Sequence, residues 1–232
     1  MPPATVLLCR LVVIGFIVNP NGAATTKIKP VGVHGTAVHP NLQTYKPTNR
    51  QNNGHGIMDY RRAKTEGGTY FFTLTLADRR QSTLVKNIDL LRSAIRLVKD
   101  RHPFTIEAIV IMPEHLHTIW TLPEGDKDFP TRWALIKAGF SRALAKGEFI
   151  SKSRTSKGER GIWQRRYWEH LIRDDEDFTR HVDYIHFNPV KHGYVTNPMD
   201  WTHSSIHRFI SAGALPGNWG ASSVEITGEF GE

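Results

Sequence analysis

The stretch "FTIEAIVIMPEHLHTIWTL" (Phe104–Leu122) decides the fold. Its first nine residues, Phe104–Met112, are mostly apolar and rich in β-branched side chains, so they read as a strand. Pro113–Glu114 interrupts the run as a tight turn. His115–Leu122 then resumes it, and the two strands are expected to pair antiparallel. Side chains alternate faces along a strand, so His115 and His117 project together while Leu116 points the other way. Burying two imidazoles unpaired on an apolar strand is costly. A shared divalent cation would resolve that cost, since imidazole suits Zn, Mn, Fe, Ni or Cu. The plain alternative is a pair of core-edge histidines satisfied by backbone. Glu114, at the turn, is expected to face solvent.

Elements alternate on both sides of this hairpin. Thr69–Leu76 is β-branched and aromatic, hence a strand. Ser82–Asp100 carries Leu84, Ile88, Leu91, Ile95 and Val98 at steps of three and four, hence an amphipathic helix capped by Ser82. Pro130–Gly147 is a second helix, with Pro in its first turn and Gly at its end. Arg166–Ile172 is a fourth strand. Asp174–Asn188 is a third helix, acidic at its N-terminus as the helix dipole favours, and Pro189 is expected to end it at Asn188. The order β-α-β-β-α-β predicts an α+β, ferredoxin-like antiparallel sheet with two helices on one face, followed by a C-terminal helix that carries Tyr184.

Length and composition bound the rest. The chain has 232 residues, 39% of them hydrophobic, enough for one sizeable domain plus tails. One cysteine, Cys9, excludes a disulfide framework and any multi-cysteine zinc site. The formal charge is +8, with 30 Lys/Arg and 22 Asp/Glu. Residues 1–57 hold five of the basic residues and no acidic one, which leaves 25 basic and 22 acidic residues, a net of +3, for residues 58–232. Global charge therefore says little about the domain. Local clusters say more: Ser151–Arg166 has six Lys/Arg against one Glu.

Residues 1–57 look unlike the remainder. Val6–Val18 is an apolar run of signal-peptide length, yet no basic residue precedes it and Arg10 interrupts it, at about 2.5–3.5 kcal/mol on insertion scales. The expected division is a disordered or spurious extension over residues 1–57 with Met58 as the start, one domain over 58–220, and a flexible tail over 221–232. A secreted protein is the alternative.

A second constellation is "HVDYIHFNPVKHG" (His181–Gly193). Tyr184 and Asn188 are four apart and share a helix face, with His181 beside them. Asn188 offers an amide oxygen as a ligand, and Tyr184 a phenol able to act as a nucleophile. Core packing of Tyr184 and helix capping by Asn188 are the bland alternatives. Together these residues suggest His115, His117 and Asn188 around one cation, with Tyr184 attacking a phosphodiester in line to give a covalent phosphotyrosine.

"MPEHLHTIW" resembles the motif of two histidines around a hydrophobic residue in the HUH single-tyrosine DNA transposases. "HVDYIHFNPVKHG" resembles the tyrosine-helix signature of the REP-associated tyrosine transposases, and "TYFFTLTLADRR", "WTLPEGDKDF" and "IWQRRYWEHLIRDDEDF" are similar to that group. The likeness spans about Met58 to Trp219. It implies an HUH endonuclease fold and cleavage of single-stranded DNA at hairpin-forming repeats. It further implies a Mg²⁺ or Mn²⁺ cofactor, a 5′-phosphotyrosine intermediate, Tyr184 as nucleophile, and His115, His117 and Asn188 as ligands. Arg61, Arg62, Lys152, Arg154, Lys157, Arg165 and Arg166 then read as phosphate contacts and Trp163 as a base-stacking platform. The tail Asp200–Gly220 either folds back near the site or binds the hairpin foot. The expected setting is bacterial, cytoplasmic and nucleoid-associated, with no membrane or small-molecule cofactor, as a monomer or alternatively a dimer. Two other readings stand beside this one. One is a non-cleaving hairpin-binding protein of the same fold. The other is a metallohydrolase of small phosphoesters, for which further carboxylate and histidine ligands are lacking.

Overall fold

The structure is a computed structural model that describes residues 65–148, 150–220 and 230–231. Strand β1 (Thr69–Thr75) is buried on both faces over its five central residues. That places it inside a sheet, and its sequence fits: Phe71 and Phe72 point to opposite sides and each finds a core. A one-turn helix α1 (Thr83–Lys86) and the longer α2 (Ile88–Arg101) follow. The hairpin strands β2 (Thr105–Ile111) and β3 (His115–Thr121) come next, then α3 (Phe129–Ala143), the one-turn α4 (Lys152–Thr155) and β4 (Trp168–Leu171). Helix α5 (Asp175–Lys191) and the short α6 (Ile206–Ser211) complete the order.

The four strands lie in the order β2-β3-β1-β4, every neighbouring pair antiparallel. This is the ferredoxin-like arrangement that the element order predicts. On one face, Tyr70, Phe72 and Leu74 of β1 and Leu116 and Trp120 of β3 pack against α2 and α3. Trp120 stacks on Trp133 of α3 with ring centroids 3.8 Å apart, an aromatic pairing worth about 0.5–1.5 kcal/mol beyond burial. On the other face, Phe71, Val110 and Ile119 meet Phe178, Val182 and Ile185 of α5. Register places Thr73 opposite His117 and Thr75 opposite His115, on that second face.

Local chemistry moves several boundaries. The helix expected over Ser82–Asp100 breaks at Asn87, whose side-chain amide donates to the Thr83 carbonyl and competes with the ladder. Ser82 makes no capping bond. Helix α3 begins at Phe129 and ends at Ala143, short of the expected Gly147, and Asp128 caps its start by accepting from the Thr131 N–H. Helix α5 does not stop at Asn188: Pro189 lies inside its last turn. Its last residue is Lys191, three residues later. Gly193, at φ 71°, donates to the Val190 carbonyl and Tyr194 to the Pro189 carbonyl, the paired bonds of a Schellman motif. After α5 the chain folds back along β2, where Ile111 N–H bonds the His203 carbonyl. Among the described residues, no helix is long and apolar enough to cross a membrane.

Candidate active site

The hairpin turn and α5 together position the site. His115 and His117 are both buried, their rings 4.8 Å apart. His115 Nδ1 lies 2.9 Å from Glu114 Oε1. Burial pushes Glu114 up, but the hydrogen bond and charge of His115 more than offset it and hold the carboxyl below its ordinary range. An ionised carboxylate only accepts, so Nδ1 donates; Nε2 lies 3.3 Å from Asn188 Oδ1, and it offers a lone pair to a cation when the ring is neutral. Glu114 is therefore not solvent-facing as expected. It is 8% exposed and also accepts from the Tyr194 hydroxyl at 3.4 Å. Tyr194 reaches it because the Schellman turn at Gly193 brings the chain back over the hairpin.

The tautomer of His117 follows from its partner. Thr73 Oγ1 gives its one hydrogen to the Phe230 carbonyl at 2.7 Å. It must then accept from His117 Nδ1 at 2.8 Å, so His117 also carries its lone pair on Nε2. Two imidazole Nε2 atoms and one amide oxygen, each histidine held by an oxygen on its far nitrogen, match the donor set and supporting contacts that a divalent cation would take. The residues present fit the expected metal.

Tyr184 is 1% exposed, one helical turn before Asn188, with its ring 5.0 Å from that of His117. Lys191 Nζ lies 4.8 Å from the ring centroid and donates to the phenol oxygen at 3.4 Å. Phe230 stacks face to face on Tyr184, centroids 3.7 Å apart and planes 8° apart. The tail expected to be flexible thus places one aromatic ring over the candidate nucleophile; residues 221–229 lie outside the described residues. Nothing in "GEFGE" signals this contact. Thr73, Glu114, Lys191 and Phe230 were all missed by sequence reasoning: Thr73 and Phe230 act through partners distant in sequence, whereas Glu114 and Lys191 lie next to or within two helical turns of theirs.

His170, Asp177 and His181 form a second group, with ligand atoms within 4.8 Å of one another. Asp177 Oδ2 already accepts from His170 Nε2, Arg173 N–H and Arg173 Nε. Burial opposes its charge, but these bonds prevail and its carboxyl is lowered. Two arginines, Arg173 and Arg180, already supply the positive charge there, so the group reads as an ion-pair cluster that ties β4 to α5.

The expected DNA contacts divide. Arg61 and Arg62 lie outside the described residues. Lys152, Lys157 and Arg166 are exposed. Arg165 Nε donates to Glu159 at 2.9 Å, and Arg154 is held by the Trp163 carbonyl at 3.1 Å and lies 3.8 Å from Glu159. Trp163 is 6% exposed and packs on Phe140, so it offers no open face for stacking a base.

No family model matches the chain. It is 46% identical over 176 residues to a Haemophilus influenzae protein assigned to the REP-associated tyrosine transposases, covering 75% of this chain and all of that protein. It is 44% identical over 171 residues to a REP-associated tyrosine transposase of Escherichia coli, covering 74% and 96%. A solved structure of a REP-associated tyrosine transposase bound to a REP hairpin superposes with a TM-score of 0.64 at 44% identity, covering 76% of this chain and 98% of that one. Likeness of this degree over essentially the full length of those proteins settles the relationship, and the chain belongs to the REP-associated tyrosine transposases.

Proposed function

We propose that this protein cleaves and rejoins single-stranded DNA beside hairpin-forming repeats, with Tyr184 as nucleophile and a divalent cation, Mg²⁺ or Mn²⁺, held by His115, His117 and Asn188. The observation that carries the reading is the convergence of β3 and α5: His115 Nε2 faces Asn188 Oδ1 at 3.3 Å while the Tyr184 ring lies 5.0 Å from His117. The chemistry a bound cation supplies there is charge neutralisation and polarisation of the scissile phosphate. The protein's own residues do the remainder. Glu114 and Thr73 fix the two imidazoles in the ligating tautomer. Lys191, at the phenol oxygen, favours its ionised form. The Tyr184 oxygen forms a bond to phosphorus as the bond from phosphorus to the 3′-oxygen breaks. The 3′-oxygen leaves as a hydroxyl, taking its proton from water. The 5′-phosphotyrosine keeps the phosphodiester's energy, so attack by another 3′-hydroxyl reverses the step and joins new ends. The exposed cations Lys152, Lys157 and Arg166 supply a phosphate grip, and a bacterial cytoplasmic setting follows from that substrate.

A second reading, hairpin binding without cleavage, has one observation in its favour: Phe230 covers Tyr184. One experiment separates the two. A single-stranded oligonucleotide carrying a repeat hairpin is incubated with protein and Mn²⁺ and run under denaturing conditions. A protein–DNA band that disappears in Tyr184→Phe and with chelator is the expected result. Tight binding with no such band at any repeat tried would leave only the binding reading.

A further inference from the structure

The chain that returns after α5 closes over the hairpin turn. Tyr194 and Trp201 stand together there, ring centroids 5.4 Å apart. Trp201 Nε1 donates to the Ile111 carbonyl at 3.0 Å, and the Ile111 N–H bonds the His203 carbonyl. Ile111 is the last residue of β2, so this clasp grips the hairpin just before Pro113. Trp201 belongs to the tail Asp200–Gly220, which thus folds back beside the site.

A carboxylate at a tight turn faces water by default, because burial opposes its charge. The backbone around Glu114 does not decide otherwise. Leu76 N–H bonds the Glu114 carbonyl at 2.8 Å and Leu84 N–H the Pro113 carbonyl at 3.1 Å, and neither bond involves the Glu114 side chain. That side chain is nonetheless buried, with one oxygen on His115 and the other on Tyr194. Tyr194 is itself 45% exposed, so it meets Glu114 from the solvent side. Its hydroxyl bond is long, at 3.4 Å, and contributes modestly. The ring contributes more, by keeping the bond between Glu114 and His115 in a medium of low dielectric, where it is stronger. A carboxylate on the far nitrogen of a ligating histidine fixes the ring and raises the basicity of the ligating nitrogen. His117 is held by the Thr73 hydroxyl instead, so it lies outside this chain of contacts and serves as an internal reference.

We propose that Tyr194, backed by Trp201, is a positioning residue for the cation site. It keeps the Glu114 carboxylate turned inward onto His115, and so sets how tightly the site holds a divalent ion. This rests on the reading of His115, His117 and Asn188 as cation ligands. It deepens that reading by giving the segment after α5 a part in the site, through Glu114 rather than by contact with the ion.

The test uses the full chain without DNA. Mn²⁺ is titrated in and the unbound ion is followed by electron paramagnetic resonance. Glu114→Gln keeps the side chain's shape, removes its charge, and is expected to weaken Mn²⁺ binding about tenfold. Tyr194→Ala, which opens Glu114 to water, is expected to cost about as much, roughly tenfold. Tyr194→Phe keeps the ring and should cost about threefold, the loss of one modest hydrogen bond. Tyr194 is nearly half exposed, so neither variant opens a core cavity. In the Glu114→Gln background Tyr194→Ala should weaken binding no further, because both changes act through one carboxylate. Nitrogen NMR of the metal-free protein reads the tautomers directly. In Tyr194→Ala the His115 proton should no longer be confined to Nδ1, while His117 keeps its wild-type signals. Wild-type Mn²⁺ affinity in both Tyr194 variants overturns the proposal. So do losses that add in the double variant, an unchanged His115 signal, or an equal change at His117. Mn²⁺ binding that is absent in wild type, or that survives His115→Ala, would overturn the cation reading instead. The His115 signals, read without metal, would then still decide whether Tyr194 positions Glu114.

Discussion

At Tyr184 the phenol oxygen accepts from the Lys191 ammonium at 3.4 Å. A positive charge beside an acid favours its ionised form, so Lys191 acts on the atom that must attack. Lys191→Met is expected to slow adduct formation about tenfold at neutral pH, the loss of one charge-assisted hydrogen bond at the attacking atom. The rate should recover as pH rises, and Lys191→Arg should restore part of it. A uniform fall at every pH would show that Lys191 merely packs on the ring. Residue by residue, the site was half legible. The two histidines on one face follow from the period of a strand, and Tyr184 with Asn188 from the period of a helix. Glu114 was not legible, because its burial depends on Tyr194 returning from a turn 80 residues away. Nor was the His117 tautomer, which is set by a hydroxyl whose hydrogen is taken by Phe230.

At the scale of elements, strands read more truly than helix ends. Each strand lies within the expected run because alternating or continuous apolar patterns mark it. The helix ends depended on single polar contacts. Asn87 split one helix by bonding the Thr83 carbonyl. Pro189 stayed within α5 because the Schellman turn at Gly193 completes the last turn beyond it, and "KHG" after Pro189 held that signal. The C-terminal residues show a contact that no local pattern encodes. Gly231 has φ 70°, and an added Cβ there would collide with Trp168, so only glycine lets Phe230 reach Tyr184. Phe230→Ala removes the stacked ring, and Gly231→Val unseats it indirectly. Both are expected to raise the rate of adduct formation several-fold by uncovering the phenol, at a cost in thermal stability because Phe230 is part of the core beneath α5. Rates at or below wild type in both variants would show that Phe230 instead supports the site, through the Thr73 bond it accepts.

At the scale of the molecule, the sheet separates two cores, and helix α5 over the second carries titratable groups with opposed linkage. His186 is fully buried, with Nε2 2.9 Å from Ser205 Oγ. Burial, reinforced by the charges of Arg208 and His207, pushes it down to about 3. An unfolded histidine titrates near 6.5. Between those values the unfolded chain holds a proton that the native protein does not, so stability from this group falls as pH drops through that window. Asp183 has the opposite sign. Burial raises it to about 6, whereas an unfolded aspartate titrates near 3.9. The native state holds that proton in between, so its contribution is present below about 4 and is lost as pH rises to 6. The two effects overlap and largely cancel in the intact protein. The melting temperature should therefore change little between pH 7 and pH 4.5 on their account. His186→Leu should shift the comparison towards greater stability at pH 4.5, and Asp183→Asn towards less. Melting each variant against wild type at the two pH values isolates these groups, since every other titration is common to both. Parallel shifts in the two variants would mean that neither group carries the linkage and that the core beneath α5 is pH-indifferent.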